Sequence, residues 1–221
     1  MKLAYPNMKE VIHIPDGFAF GLVIENPDFM YRFLKDLAGQ CRGEPGEAIL
    51  SVNNSPVSIQ KYLELMTDFV NFDDVPKRAL TKFLQSMERV AQSAEFVCET
   101  NEIMAGLEGF LNKLAFEEDV NLAYDKFSLT NLLKAVGIRP IMEYNSLGER
   151  LYAYMDFVTR YEGEKLFVPV NLRSFLSDKD AEILLNVAIL RGMKILLIDN
   201  ESHPILSMEK RLLIDEDLCE M

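Results

Sequence analysis

The chain has 221 residues, 49% of them hydrophobic, and a formal net charge of −12. That apolar share supports a sizeable core and excludes global disorder, while the length suits one large domain or one domain carrying an insertion. The charge argues against a uniformly basic nucleic-acid binder, but the acids are concentrated in two short stretches, Glu117–Asp125 and Asp199–Met221, so a local basic surface is not excluded.

Taken from the N-terminus, MKLAYPNMKEVIH has no apolar run of signal-peptide length, which leads to an expected cytoplasmic location. No run of about eighteen apolar residues occurs anywhere, so no membrane-spanning helix is expected. Ala19–Glu25 (AFGLVIE) reads as a buried strand, continuously apolar as in a parallel sheet covered on both faces. The following NPDFMYRFLKDL reads as a helix, with Asn26 as cap, Pro27 at its first position, and Phe29, Phe33, Leu34 and Leu37 facing inward. Gly39–Glu47 is a surface loop.

Lys77 to about Glu118 carries hardly a strand signal and no proline. Phe83, Met87, Val90, Ala94 and Val97 recur at four-three spacing, and Met104, Leu107, Leu111 and Leu114 resume the pattern after a slip. This predicts two or more long helices with a break near Asn101. Such an apolar stripe needs covering, either by a partner copy or by packing back on the sheet. Next comes FEEDVNLAYDKF, in which Glu117, Asp119, Asn121 and Asp125 fall on alternate positions with a gap at Ala123. Alternating oxygen side chains can wrap a hard cation, but the glycine and terminal glutamate of an EF-hand loop are missing. A charged hinge is the competing reading.

Beyond it, GIRPIMEY and SLGERLYAYMDFVTRY read as a further strand and helix. Lys165–Asn171 and Lys194–Asn200 read as strands flanking a helix that Ser177 caps and Gly192 ends, a βαβ unit of right-handed crossover. Pro169 counts against an interior place for the first of these strands. The fold class is therefore α/β, with a mainly parallel sheet body and an inserted long-helix leg. The head domain is expected over 1–73 and 119–221, the leg over 74–118, and a hinge around 117–126.

Catalytic chemistry is poorly supplied. No GxxxxGK[ST] cradle occurs, and the strand–helix junction where one would sit reads VIENPDF. His13 and His203 belong to no metal-ligand cluster, no GxSxG elbow exists, and Cys41, Cys98 and Cys219 form no CxxC pair. An enzyme is not expected.

The order of LVIEN, TDFVNFD (Thr67–Asp73), NLAYDKFSLTNLLKAVGIR (Asn121–Arg139), LFVPVNLRSFLSDKDAEIL, KILLID and LLIDEDL (Leu212–Leu218) resembles the CRISPR-associated spacer-acquisition proteins of type II-A systems, the Csn-two family. The resemblance implies a body shaped like a P-loop ATPase core without the P-loop, and a homotetrameric ring holding double-stranded DNA ends without cutting them. It implies other CRISPR adaptation proteins as partners, no membrane, and calcium at the hinge. Glu117, Asp119, Asn121 and Asp125 would be the ligands; asparagine replaces one acid and Ala123 removes another, so fewer or weaker ions are expected. Candidate DNA-binding cations are Arg32 and Lys35 on the first helix and Lys77, Arg78, Lys82 and Arg89 at the start of the leg. The alternatives are an NTPase-like enzyme with an atypical phosphate site and a scaffold for adaptation proteins that ignores DNA.

Overall fold

The computed structural model describes residues 1–72, 75–121 and 128–221. It divides into two compact units, Met1–Asp74 with Met142–Met221, and Val75–Ile141.

The first unit is built on a five-stranded, all-parallel sheet. Its strands are β3 (Ala19–Ile24), β6 (Leu63–Met66), β7 (Leu166–Pro169), β8 (Lys194–Asp199) and β9 (Glu209–Ile214), in the order β6-β7-β8-β3-β9. The strands read from sequence at Ala19–Glu25, Lys165–Asn171 and Lys194–Asn200 are present as β3, β7 and β8. The sheet is buried on both faces, which is why their apolarity is continuous rather than alternating. Leu196 and Ile198 of β8 join the cluster containing Phe29, Phe33 and Leu37 of α1 (Pro27–Cys41). Ile195 and Leu197, on the other face, meet Leu151 and Met155 of α6 (Leu147–Glu162) and Leu184 and Leu185 of α7 (Asp178–Leu190). Asn26 caps α1 by accepting from Phe29 N, and Ser177 caps α7 by accepting from Asp180 N.

Pro169 sits in an interior strand after all. The β7–β8 ladder pairs Leu166 with Lys194 and Phe167 with Ile195, skips the proline, and resumes at Val170–Ile198. Val170 N donates to Met66 O, on the β6 side, so the donor that Pro169 lacks would have faced β8. One missing ladder bond is the cost of keeping the register.

A second, antiparallel sheet was not foreseen. It consists of β1 (Lys2–Ala4), β2 (Ile12–His13), β4 (Ile49–Val52) and β5 (Ser55–Val57), in the order β2-β1-β4-β5. Asn53 and Asn54 turn the β4–β5 hairpin with φ of 50° and 62°, the left-handed values of a two-residue hairpin loop. Leu3, Ile12 and Leu50 bring this sheet into the core that α1 shares with the parallel sheet. A single helical turn, α2 (Ile59–Tyr62), leads from β5 into β6.

The helical unit contains α3 (Lys77–Ala91), α4 (Val97–Glu117) and α5 (Leu129–Val136). The break between the long helices lies at 92–96, not at Asn101, through which α4 runs without interruption. Thr100 Oγ1 donates to Ala91 O at 2.9 Å and satisfies a carbonyl at the end of α3. GIRPIMEY forms no strand either. Gly137 ends α5 at a φ of 76°, Pro140 withholds a donor, and the stretch to Tyr144 is irregular.

Candidate nucleic-acid interface

On α1 the inward stripe of Phe29, Phe33 and Leu37 turns Tyr31, Arg32 and Lys35 outward, all exposed. Arg32 and Lys35 line one side of a cleft of about 410 Å³, with Tyr5, Asp36, Arg42, Glu44 and Glu47 around it. The acids there are largely engaged. Asp36 accepts from Glu47 N and Ala48 N, each at 2.9 Å, and from Gln40 Nε2 at 2.8 Å, while Glu44 pairs with Arg42 at 2.9 Å. Lys35 Nζ lies 5.8 Å from the Tyr31 ring and the Arg32 guanidinium 6.0 Å from that of Phe29. Arg42 is a lining cation that the sequence reading missed; nothing in its surroundings in sequence distinguishes it from any other loop arginine.

In the helical unit, Ala79 and Leu84 are the buried residues of α3, and Lys77, Arg78, Lys82 and Arg89 are exposed. At about 100° per residue, Arg78, Lys82 and Arg89 fall within about 40° of one another, opposite the buried face. Thus Lys82 and Arg89 share a stripe with Arg78, while Lys77 stands to one side. Among the described residues, no ion pair neutralises Arg32, Lys35, Lys77, Lys82 or Arg89. In a chain this acidic, each such cation could have found a carboxylate. Left uncompensated by an ion pair, they remain candidates for contact with a phosphate backbone.

The position where a nucleotide phosphate would sit has other occupants. Phe29 N, in the first turn of α1, donates to Asn26 Oδ1 at 2.9 Å, Asn26 Nδ2 donates to Glu216 O at 2.8 Å, and Pro27 has no N–H to offer. Glu25, just before, is exposed. The N-terminal donors that make a helix an anion site are therefore partly consumed and faced with negative charge.

At the end of α4, Glu117, Asp119 and Asn121 are exposed, and Asp119 takes a left-handed φ of 53°. Asp125 lies outside the described residues. Among the described residues no three His, Cys, Asp or Glu side chains gather around a common point for a metal. Glu117, Asp119 and Asn121 offer three exposed oxygen-bearing side chains where calcium takes about six to eight oxygen ligands.

Buried polar groups elsewhere serve the fold. Lys165 Nζ meets Glu162 at 2.9 Å and Glu64 at 3.3 Å, and Tyr154 donates to Glu64 at 2.7 Å. Burial pushes the Cys41 thiol up to about 11, which makes it a poor nucleophile. Burial likewise raises the carboxyl of Asp199, at the end of β8, above its ordinary value.

Together these features define an α/β protein with a five-stranded parallel sheet, a separate helical unit, and, on a helix of each, exposed cations that form no ion pair among the described residues. The sequence matches the family model described as CRISPR-associated protein (Cas_Csn2) over residues 40–218, and the chain belongs to that family. Its fold is similar to the crystal structure of Stu0660 of Streptococcus thermophilus, with a TM-score of 0.58 and 15% identity, covering 90% of this chain and 68% of that one. No curated protein matches the sequence. No helix among the described residues is long and apolar enough to cross a membrane.

Proposed function

We propose that this protein is a non-enzymatic, ring-forming clamp for double-stranded DNA ends that acts in CRISPR adaptation, alongside other adaptation proteins and without sequence preference. The helical unit serves as the leg, and the sheet unit as a head shaped like a P-loop ATPase core that has lost its nucleotide cradle. The observation that carries this reading is that the exposed Arg32 and Lys35 of α1 and Lys77, Lys82 and Arg89 of α3 form no ion pair among the described residues. The engaged first turn of α1 supports the non-enzymatic part. Membership of the Cas_Csn2 family supports the role in adaptation.

Binding of this kind is made of phosphate contacts, so affinity falls steeply with salt. Gel shifts should show linear duplex retarded and closed circular duplex not. Replacing Lys82 and Arg89 by glutamine should weaken binding equally for unrelated sequences and lower the salt slope by about one per lost contact. Failure to bind either form of DNA at low salt would contradict the proposal.

The proposal includes calcium at the 117–126 hinge. Asp125 would complete what Glu117, Asp119 and Asn121 leave open, giving loose binding. Because a ligand held only by the folded state stabilises it, a chelator should lower the melting temperature of calcium-supplied protein. An unchanged melting curve would mean that the segment is a charged hinge only.

A further inference from the structure

The helix pair α6 and α7 carries a surface that neither the core nor the basic faces explain. The first turns of the two helices lie side by side: a Cβ at Gly148 would stand in ordinary contact, 3.9 Å, with Asp180 O. Between them opens a cleft of about 440 Å³ lined by Ser146, Glu149, Tyr152, Asp180, Ile183 and Val187 among others. Along α7, Ile183, Val187 and Leu190 are 53%, 40% and 82% exposed at spacings of four and three. The same helix already buries Ala181, Leu184, Leu185, Ala188 and Ile189 on the sheet side. A second apolar stripe on a surface helix adds nothing to the core and is costly to leave in water.

The charge lining the cleft is of one sign, while Lys179 and Arg191 stand exposed at the two ends of the stripe. No basic residue lines the cleft, and neither Glu149 nor Asp180 forms an ion pair among the described residues. Each has one carboxylate oxygen engaged locally: Glu149 Oε2 accepts from Asn145 N at 2.7 Å and Asp180 Oδ2 from Ser177 Oγ at 2.6 Å. The other oxygen of each is left for a cation from outside.

We propose that this face receives an amphipathic, basic helix of a partner protein, its apolar residues seated on Ile183, Val187 and Leu190 and its lysines or arginines reaching Glu149 and Asp180. The exposed stripe spans about two helical turns, the length of an anchor set in helix-in-groove recognition. A phosphate backbone is repelled by the two acids. A two-fold contact that closed the cleft on itself would set Glu149 and Asp180 against their own copies. The chain's own basic amphipathic helix, α3, already has its apolar face packed against α5 within its unit.

The test uses the whole 221-residue chain and a labelled leucine–lysine amphipathic helical peptide, with a leucine–glutamate version of equal length as control, read by fluorescence anisotropy at physiological salt. The lysine peptide should bind saturably and the glutamate peptide should not. Ile183→Ser with Val187→Ser, or Leu190→Ser alone, should weaken binding by about tenfold, and Glu149→Gln should flatten its salt dependence. These are exposed positions, and melting curves of the variants identify any folding defect. Lysine-peptide affinity indifferent to the serine variants would overturn the proposal, as would equal binding of both peptides. A change of solution mass in the serine variants would overturn it too, by showing that another copy covers the face. Linear DNA should shift as before with these variants, so the outcome is independent of whether the clamp reading holds.

Discussion

Glu209, at the start of β9, is almost fully buried, and its surroundings supply partners for both carboxylate oxygens. Its Oε1 accepts from Arg211 Nε at 2.8 Å, Oε2 accepts from Leu206 N at 3.1 Å, and Arg173 lies 3.9 Å from Oε2. Arg173 in turn pairs with Asp178 and donates to Pro204 O, while Arg211 donates to His203 O. The network ties the 200–208 connection to the sheet, and its space is supplied by Gly21 on β3. A Cβ at Gly21 would press on Glu209 Oε1, which its partners hold in place. Gly21→Ala should therefore destabilise the fold by about 1–3 kcal/mol, read as a lower urea midpoint at an unchanged slope. An unaltered midpoint would show that the carboxylate moves aside freely. From sequence, Gly21 is only a glycine inside an apolar strand. That it faces a carboxylate from the far end of the chain is a tertiary fact with no local signal.

Among the elements, α6 holds the two points where the chain departs from and returns to the sheet unit. The Arg150 guanidinium stands 4.9 Å from the Phe72 ring and 5.6 Å from the Tyr144 ring, and donates to Phe72 O. Phe72 packs in turn on Tyr154, 4.7 Å between centroids. Phe72 closely precedes the helical unit and Tyr144 closely follows it, so one side chain fastens both connections. Arg150→Met should cost about 1–3 kcal/mol and speed proteolysis near residues 72 and 144. Arg150→Lys should not restore the loss, because an ammonium cannot stack its plane between two rings. Proteolysis unchanged by both variants would remove the fastening role. The capped helices and long apolar strands were legible because Asn26, Ser177 and runs such as KILLID carry their signals locally. The antiparallel sheet was not, since strands of two to four residues are too short to show a period. The helix break was misplaced because heptad spacing records which residues face inward; it does not record where 92–96 turns.

On the scale of the whole molecule, α4 buries none of its residues. Ile103, Phe110 and Leu114 are 57%, 56% and 45% exposed, and with Leu107 they follow four-three-four spacing, the seam of a helix awaiting another. The apolar run was plain in the sequence. Whether it would be covered within its own chain was not, because that depends on packing, and here the described residues leave it open. Self-assembly through this seam is the simplest account of its exposure. It would also let an acidic chain act on DNA, because several copies bring their few unneutralised cations around one opening. The proposed site residues could be named one by one from sequence as candidates. That Arg32, Lys35, Lys77, Lys82 and Arg89 form no ion pair among the described residues could not, since an ion pair is made in space. The measurement that bears most directly on this account is the mass in solution by light scattering. A particle of about four times the 25.3 kDa chain mass is predicted. A lone subunit in every buffer, with or without calcium and with or without linear DNA, would contradict it.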